Sequence, residues 1–427
     1  MSVKGGLFKM QGVEIKKYRD DTWDFRTANT KQYTHCFHSY PAMMIPQVAA
    51  RILDEFGKNA KLLFDPYCGT GTSLVEANLR GINAIGTDIN PLARLIAKVK
   101  TTIISIESLD SYLEDFNNFV FSVRSRSVKI KPTIPNFKNI DYWFKEETKY
   151  WLAVIKEYIE QIKDRDIQDF FKVAFSETVR KVSLTRNNEF KLYKMTKKQA
   201  ENFNPDVLTI MVEKLIQNRN GMVEYIRIKN NTAKSKIYGF DTVYGIPEEI
   251  LPSESVDIIV TSPPYGDSRT TVAYGQFSRL SNQWLGFEEF NEVDKRSMGG
   301  VRKKKLKKFD FEPLDQVITQ IAQIDKRRVY DIISFYIDYK NSIQNISKVV
   351  KKGGIVVYVV GNRRVKGVEI PNDEITREFF EKNGFKHIKT IVREIPNKRM
   401  PKRNSPTNVA GVTDTTMNYE YIVILER

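Results

Sequence analysis

The chain has 427 residues, room for two to three domains at about 150 residues each, and its 41% apolar and 11% aromatic content supports a sizeable core and argues against a disordered polymer. Lys and Arg outnumber Asp and Glu by 68 to 52, a formal net charge of +16, which points to a polyanionic partner, nucleic acid being the usual one. Two cysteines (Cys36, Cys68) and three histidines (His35, His38, His387) exclude a disulfide scaffold, argue against a metal site, and fit a reducing compartment. No run approaches the ~18 apolar residues of a membrane span, and the N-terminal stretch MSVKGGLFKMQGVEIKKYRD lacks the apolar core of a signal peptide. The expectation is a cytoplasmic protein with no membrane partner and no metal.

Clear architecture begins at Ala60. Leu62-Leu63-Phe64 is a short apolar run ending in Asp-Pro, which predicts a buried strand. Gly69 and Gly71 follow, then the helical stretch SLVEANLR closed by Gly81. Asn83–Thr87 returns as a strand ending at Asp88, and Asn90-Pro91 opens the helix LARLIAKVK. This strand–helix alternation predicts a Rossmann-like, mostly parallel α/β sheet. Thr101–Ser235 departs from it: stretches such as TKYWLAVIKEYIEQIKD predict a largely helical insertion. Val256–Val260 is a β-branched strand that runs into Thr261-Ser262-Pro263-Pro264-Tyr265. Ser268–Arg328 is irregular and contains KRSMGGVRKKKLKK (Lys295–Lys308), with eight basic residues and no acidic one. Tyr330–Val350 has helical spacing, Ile355–Val360 is another buried strand, and Phe385–Arg393 with Tyr421–Leu425 reads as a closing antiparallel pair. The expected division is residues 1–100 as the first half of one domain, 101–235 as the helical insertion, and 236–427 as the second half, with a basic insertion at 268–328.

Two loops carry chemistry. In FDPYCGTGTSLVEA, two glycines one residue apart after a strand let the backbone approach a ligand closely. Leu74 stands where a dinucleotide fingerprint has its third glycine, and there is no Gly-Lys-Ser/Thr of a P-loop. Asp88, 17 residues after Gly71, ends the next strand, where a carboxylate can accept from both hydroxyls of a ribose. An ordinary βα turn would use the same glycines. In the second loop, two prolines fix φ and remove two donors, so Ser262 and the Pro263 carbonyl can both accept from an exocyclic amine while Tyr265 offers a ring to stack on a base. A rigid Pro-Pro turn is the plain alternative.

Together these residues resemble the amino-type DNA methyltransferases, which act on cytosine N4 or adenine N6. DPYCGTGT resembles their motif I, which implies that Asp65, Pro66, Cys68, Gly69, Gly71 and Thr72 lie near the methionine part of S-adenosyl-L-methionine. Asp88, with Ile89 beside it, matches the acidic residue that binds the ribose. HSYPAMM (His38–Met44) resembles motif X, which brings Tyr40, Pro41 and Ala42 over the methionine carboxylate, and Asp241 of IYGFD matches the position that contacts the adenine. TSPPY resembles the catalytic motif in its cytosine-N4 form, with Ser262, Pro263, Pro264 and Tyr265 as its residues; adenine-N6 enzymes more often carry Asp or Asn at the serine. The order X, I, catalytic matches the α or γ arrangement and leaves two insertions as candidates for target recognition.

The resemblance implies a site-specific methyltransferase acting on double-stranded DNA, with a cognate restriction endonuclease as a further partner. Adenine-N6 methylation of DNA, amino methylation of guanine or adenine in RNA, and a binding module with an inactive methyltransferase fold are the alternatives. The target base must leave the duplex, which needs a grip on phosphates. Arg269, Arg279, Lys303, Lys304, Lys305 and Arg399 are the candidates; Tyr274, Phe277 and Trp284 are either walls of a base pocket or core residues, and Arg186, Asn187, Asn188 and Lys191 are candidate base readers. Ile391–Pro406, which includes Arg393, is a second basic stretch. Ring-carbon methylation would need a Cys nucleophile beside a proline, and neither Cys36 nor Cys68 stands in that context.

Overall fold

The computed structural model describes residues 8–10, 13–186, 189, 191–267, 272–304, 306–396, 403–404, 414–415 and 417–427. Its centre is an eight-stranded sheet. In chain order the strands are β1 (Lys17–Arg19), β2 (Leu62–Asp65), β3 (Asn83–Thr87), β4 (Ser235–Tyr238), β5 (Val256–Thr261), β6 (Val350–Val360), β7 (Lys386–Glu394) and β8 (Tyr419–Glu426). Their spatial order is β1-β7-β8-β6-β5-β2-β3-β4. From β6 to β4 every pair is parallel, whereas β8 runs antiparallel to both β6 and β7. This is the expected Rossmann-like sheet with its antiparallel C-terminal pair. The chain winds outward from β2 toward β3 and β4, then returns to β5 and on to β6. The switch point between β2 and β5, where α/β sheets bind ligands, therefore receives both motif loops.

The strands read as continuous apolar runs because helices cover both faces. Alternate residues go to opposite sides. Leu63, Ile258, Val260, Val357, Val359, Ile422 and Ile424 pack under α1 (Pro46–Phe56) and α2 (Thr72–Leu79). Phe64, Ile259, Val356, Tyr358, Val423 and Leu425 face the other way, in the core that includes α9 (Glu312–Ile324), α10 (Lys326–Val349) and α11 (Asn372–Glu381). The period of two is the ordinary pleat, and a one-residue slip in any strand would exchange the two cores.

Helices dominate Thr101–Ser235, as expected. They include α4 (Ile106–Arg124), α5 (Glu146–Gln161), α6 (Arg165–Val182) and α7 (Val207–Ile228). Asp164 caps α6, accepting from Asp166 N at 2.9 Å and Ile167 N at 3.1 Å. The insertion shares a core with α3 (Pro91–Thr101) and α8 (Tyr274–Leu285). Here the fold decides between the two readings of the α8 aromatics. Phe277 and Trp284 are core residues, not pocket walls: Trp284 is fully buried and makes edge contacts with Phe137, Phe144 and Phe175. Of the two readings that sequence left open for these two rings, base-pocket wall and core, they take the second, against the insertion. Among the described residues, no helix is long and apolar enough to cross a membrane and no His, Cys, Asp and Glu group is placed to hold a metal.

The buried histidines give this fold an acid limit. His35 Nε2 lies 2.9 Å from Glu76 Oε1, and both ring nitrogens of His38 are without a partner among the described residues. Burial pushes the pKa of each from 6.5 to about 4. Both stay neutral in the fold while the unfolded chain takes up protons, so their contribution is present above pH 6.5 and is lost as pH falls toward 4. Urea-unfolding free energies of the wild type and His38→Asn, compared from pH 7 to 4.5, should diverge in slope by up to about 1.4 kcal/mol per pH unit. Parallel lines would remove His38 from this account.

Candidate active site

The β2 loop is built for close approach. Gly69 has φ +48° and Gly71 has φ +77°, a left-handed pair that turns the chain into α2, and a Cβ on Gly71 would lie 3.0 Å from the Ala97 methyl. Asp65 is buried at the end of β2 and is used up internally. It accepts from the Ser73 hydroxyl, from Thr261 Oγ1 at 2.6 Å and from Tyr67 N at 3.1 Å. Burial still raises its pKa to about 6. Because Thr261 precedes Ser262, Asp65 ties the glycine loop to the catalytic strand across the switch point.

Asp88 is held ready at the end of β3. Its Oδ2 accepts from Gly69 N at 3.1 Å and its Oδ1 from Asn90 N at 2.7 Å, and burial raises its pKa. Asn90 is a hub that sequence showed only as a helix cap. Its Nδ2 donates to Tyr40 Oη at 2.7 Å and Ser278 Oγ at 3.0 Å, while its Oδ1 accepts from Leu92 N at 3.2 Å. Tyr40 stacks on Tyr274 at a centroid distance of 6.0 Å. The HSYPAMM segment, the β3 end and α8 are thus tied together.

One cavity collects these parts. Its wall contains Tyr40, Pro41, Ala42, Asp65, Pro66, Cys68, Gly69, Thr72, Asp88, Ile89, Asp241, Ser262 and Pro264, all singled out from sequence. Gly71 shapes the turn, and Pro263 and Tyr265 lie beside the wall without lining it. Sequence reasoning missed Met43, Tyr67, Asn90, Phe240, Arg296 and Met298. Arg296 and Met298 belong to the Lys295–Lys308 run, whose charge alone suggested a nucleic-acid contact. Asp241 accepts from Val243 N at 2.9 Å with one oxygen, and its buried Oδ2 has no partner among the described residues. Burial raises its pKa. An unmatched acceptor on the wall is costly unless a donor arrives. The carboxylates of Asp241 and Asp88, with the glycine turn between apolar walls, fit a nucleoside with hydroxyl and amino donors.

The Ser-Pro-Pro-Tyr loop is pinned from behind. Asn372 Nδ2 donates to the Tyr265 carbonyl at 3.2 Å and to the Gly361 carbonyl at 2.6 Å. Ser262 Oγ lies 3.1 Å from Tyr265 Oη, which donates to Glu420 Oε1 at 3.1 Å. Glu420, on β8, is paired in turn with Arg393 of β7. Arg393 is therefore a buried structural cation, not a surface contact. Burial, with the Glu420 charge beside it, holds the Tyr265 pKa well above its usual value, so the phenol keeps its proton.

The candidate nucleic-acid residues are spread differently. Arg269, Lys305 and Arg399, with Asn187 and Asn188, lie outside the described residues. Arg279 is exposed on α8. Lys303 is paired with Asp338 at 2.6 Å and Arg302 with Asp331 at 2.7 Å, while Lys304, Lys307 and Lys308 are exposed.

A doubly wound sheet with an acidic, glycine-turned nucleoside cavity at its switch point, and a Ser-Pro-Pro-Tyr loop on the cavity's edge, defines a Rossmann-like methyltransferase of the amino type. The sequence pattern of the DNA methylase family matches residues 6–99. The chain is 40% identical to the Type II methyltransferase M.MvaI of Kocuria varians, over 94% of this chain and 93% of that one. It is 21% identical to the Type II methyltransferase M.BsoBI of Geobacillus stearothermophilus, over 85% and 80% of the two chains. Likeness to a tRNA (guanine(10)-N2)-dimethyltransferase of Methanothermobacter thermautotrophicus is confined to 52 residues, 12% of this chain and 16% of that one, at 40% identity. The chain belongs to the amino-type DNA methyltransferases and, within them, to the Type II enzymes. S-adenosylmethionine is its cofactor.

Proposed function

We propose that the protein methylates the exocyclic amine of cytosine at a specific site in duplex DNA, as the protective half of a restriction–modification pair. The observation that carries the reading is Ser262, a short neutral hydroxyl on the cavity edge followed by two prolines. When bound, the cofactor supplies a sulfonium methyl, the electrophile. The rest is positioning and charge stabilisation by this chain. Asp88 takes the ribose hydroxyls and Asp241 the adenine amine, and the Tyr40–Ala42 segment closes over the methionine end. Ser262 Oγ and the Pro263 carbonyl accept hydrogen bonds from the two N–H groups of the base's amine. That draws the nitrogen from planar toward pyramidal and aims its lone pair at the methyl carbon. Within the amino-type enzymes, those acting on adenine more often carry Asp or Asn at this position, which favours cytosine here. The base reaches this loop by leaving the duplex, with the ring of Tyr265 as its stacking surface. The helical insertion and the segment around Lys304 are the two candidate readers of the flanking sequence.

The deciding experiment is to express the protein in a strain free of DNA methylation, digest the DNA to nucleosides, and separate them by mass-coupled chromatography. N4-methylcytosine is the expected product. N6-methyladenine would move the assignment to the other amino base, and methyl on RNA alone or on a ring carbon would overturn it.

DNA affinity should fall steeply with salt. Replacing Lys304, Lys307 and Lys308 by Gln should flatten the log–log salt slope by about 0.9 for each lysine that meets a phosphate. Lys303→Gln should matter less, because Asp338 already takes its charge. Fluorescence anisotropy from 50 to 300 mM salt measures this, and an unchanged slope in the triple variant would make the run a solvated loop.

A further inference from the structure

The Ser262 hydroxyl can serve the target amine only if its own proton points elsewhere, since a hydroxyl that donates into the pocket would repel an N–H. We propose that Glu420, acting through Tyr265, is a positioning residue that turns the Ser262 hydroxyl so that its lone pairs face the target amine. This rests on the reading of Ser262 as the amine's acceptor.

Tyr265 Oη lies 3.1 Å from Glu420 Oε1 and 3.1 Å from Ser262 Oγ. A phenol has one proton and an ionised carboxylate has none to give. The phenol proton therefore goes to Glu420, and the contact between the two hydroxyls is made by the proton of Ser262. With that proton committed to Tyr265, Ser262 Oγ has only lone pairs left to offer. Each bond polarises the next, which strengthens the serine as an acceptor. Glu420 cannot swing away, because its other oxygen is held by Arg393. Arg393 is itself anchored, donating to the Trp23 carbonyl at 2.8 Å and the Asp24 carbonyl at 3.2 Å. The direction of one hydroxyl in the catalytic loop is thus set from the far side of β8, by a residue 158 positions away from it in the chain.

The test uses the full enzyme, unmethylated genomic DNA and a radiolabelled methyl donor, and reads the single-turnover rate, donor affinity by calorimetry and DNA affinity by anisotropy. Glu420→Ala and Tyr265→Phe should each slow transfer roughly tenfold, about the worth of one hydrogen bond, with both affinities unchanged. Glu420→Gln, whose amide carbonyl can still accept from Tyr265, should recover part of the rate. In a Ser262→Ala background neither change should slow the enzyme further, since there is no hydroxyl left to orient. If Glu420→Ala disturbs folding by stranding Arg393, Tyr265→Phe decides alone, because it keeps the Arg393–Glu420 pair. Wild-type rates in Tyr265→Phe, or losses that persist undiminished on Ser262→Ala, would overturn the relay while leaving Ser262 in place. A full rate in Ser262→Ala would overturn the underlying reading as well.

Discussion

Asp88→Ala should weaken S-adenosylmethionine binding by roughly 30- to 1,000-fold, the equivalent of losing two charge-assisted hydrogen bonds worth about 2–4 kcal/mol together. Asp88 is half-buried and already placed, with Gly69 N and Asn90 N fixing its two oxygens at 3.1 and 2.7 Å. Those bonds leave lone pairs for two hydroxyls, so a ribose bound there would meet an acceptor that needs no reorganisation. Part of the loss in the alanine variant would come from the turn, because Gly69 N would lose its partner. Asp88→Asn separates the contributions: it keeps one acceptor oxygen for the turn and loses the charge, and should fall between. Calorimetric titration of folded variants measures both, and an unchanged affinity in Asp88→Ala would remove the residue from the site.

The second large effect is expected at Ser262. Ser262→Ala should lower kcat by roughly 10²-fold, the scale of losing one preorganised hydrogen bond to a developing charge. Cofactor affinity should stay within about twofold, because the hydroxyl serves the target nitrogen and not the sulfonium. Tyr265→Ala should cost more than Tyr265→Phe, since it removes a stacking surface worth roughly 1–3 kcal/mol per base as well as the hydroxyl. Product formation under saturating cofactor gives kcat, and cofactor titration gives the other half. Equal losses in kcat and in cofactor affinity for Ser262→Ala would place the hydroxyl on the cofactor.

What sequence could show here was whatever is written in consecutive residues. The glycine turn after β2, the acidic end of β3 and the Pro-Pro loop after β5 are local, and a parallel sheet carries all such ends to one edge, so the cavity wall was largely legible. The partners that hold these residues were not. Asn90 looks like a helix cap in sequence, and only the fold brings Tyr40 and Ser278 to its amide. Glu420 is an unremarkable charge near the C-terminus until the antiparallel strand β8 sets it against Tyr265. Phe277 and Trp284 could not be decided for the converse reason: aromatic residues after a Ser-Pro-Pro-Tyr loop suit a base pocket as well as a core, and only the fold shows that the helical insertion packs against them. Charge counting misplaced Arg393 in the same way, because a run of basic residues does not show which member faces inward.

The segment that begins at Arg296 has a thermodynamic consequence of its own. Arg296 and Met298 form part of the cavity wall, and Lys304 stands exposed only six residues beyond Met298 on the same piece of chain. If seating Lys304 on a phosphate shifts that wall, cofactor affinity changes by some factor, and linkage requires the cofactor to change DNA affinity by the same factor. The demethylated cofactor left after transfer would lack the sulfonium charge and would meet the same wall through its nucleoside end. In that case the two products are coupled as well: whatever factor modified DNA applies to the affinity of the demethylated cofactor, that cofactor applies to the affinity of modified DNA.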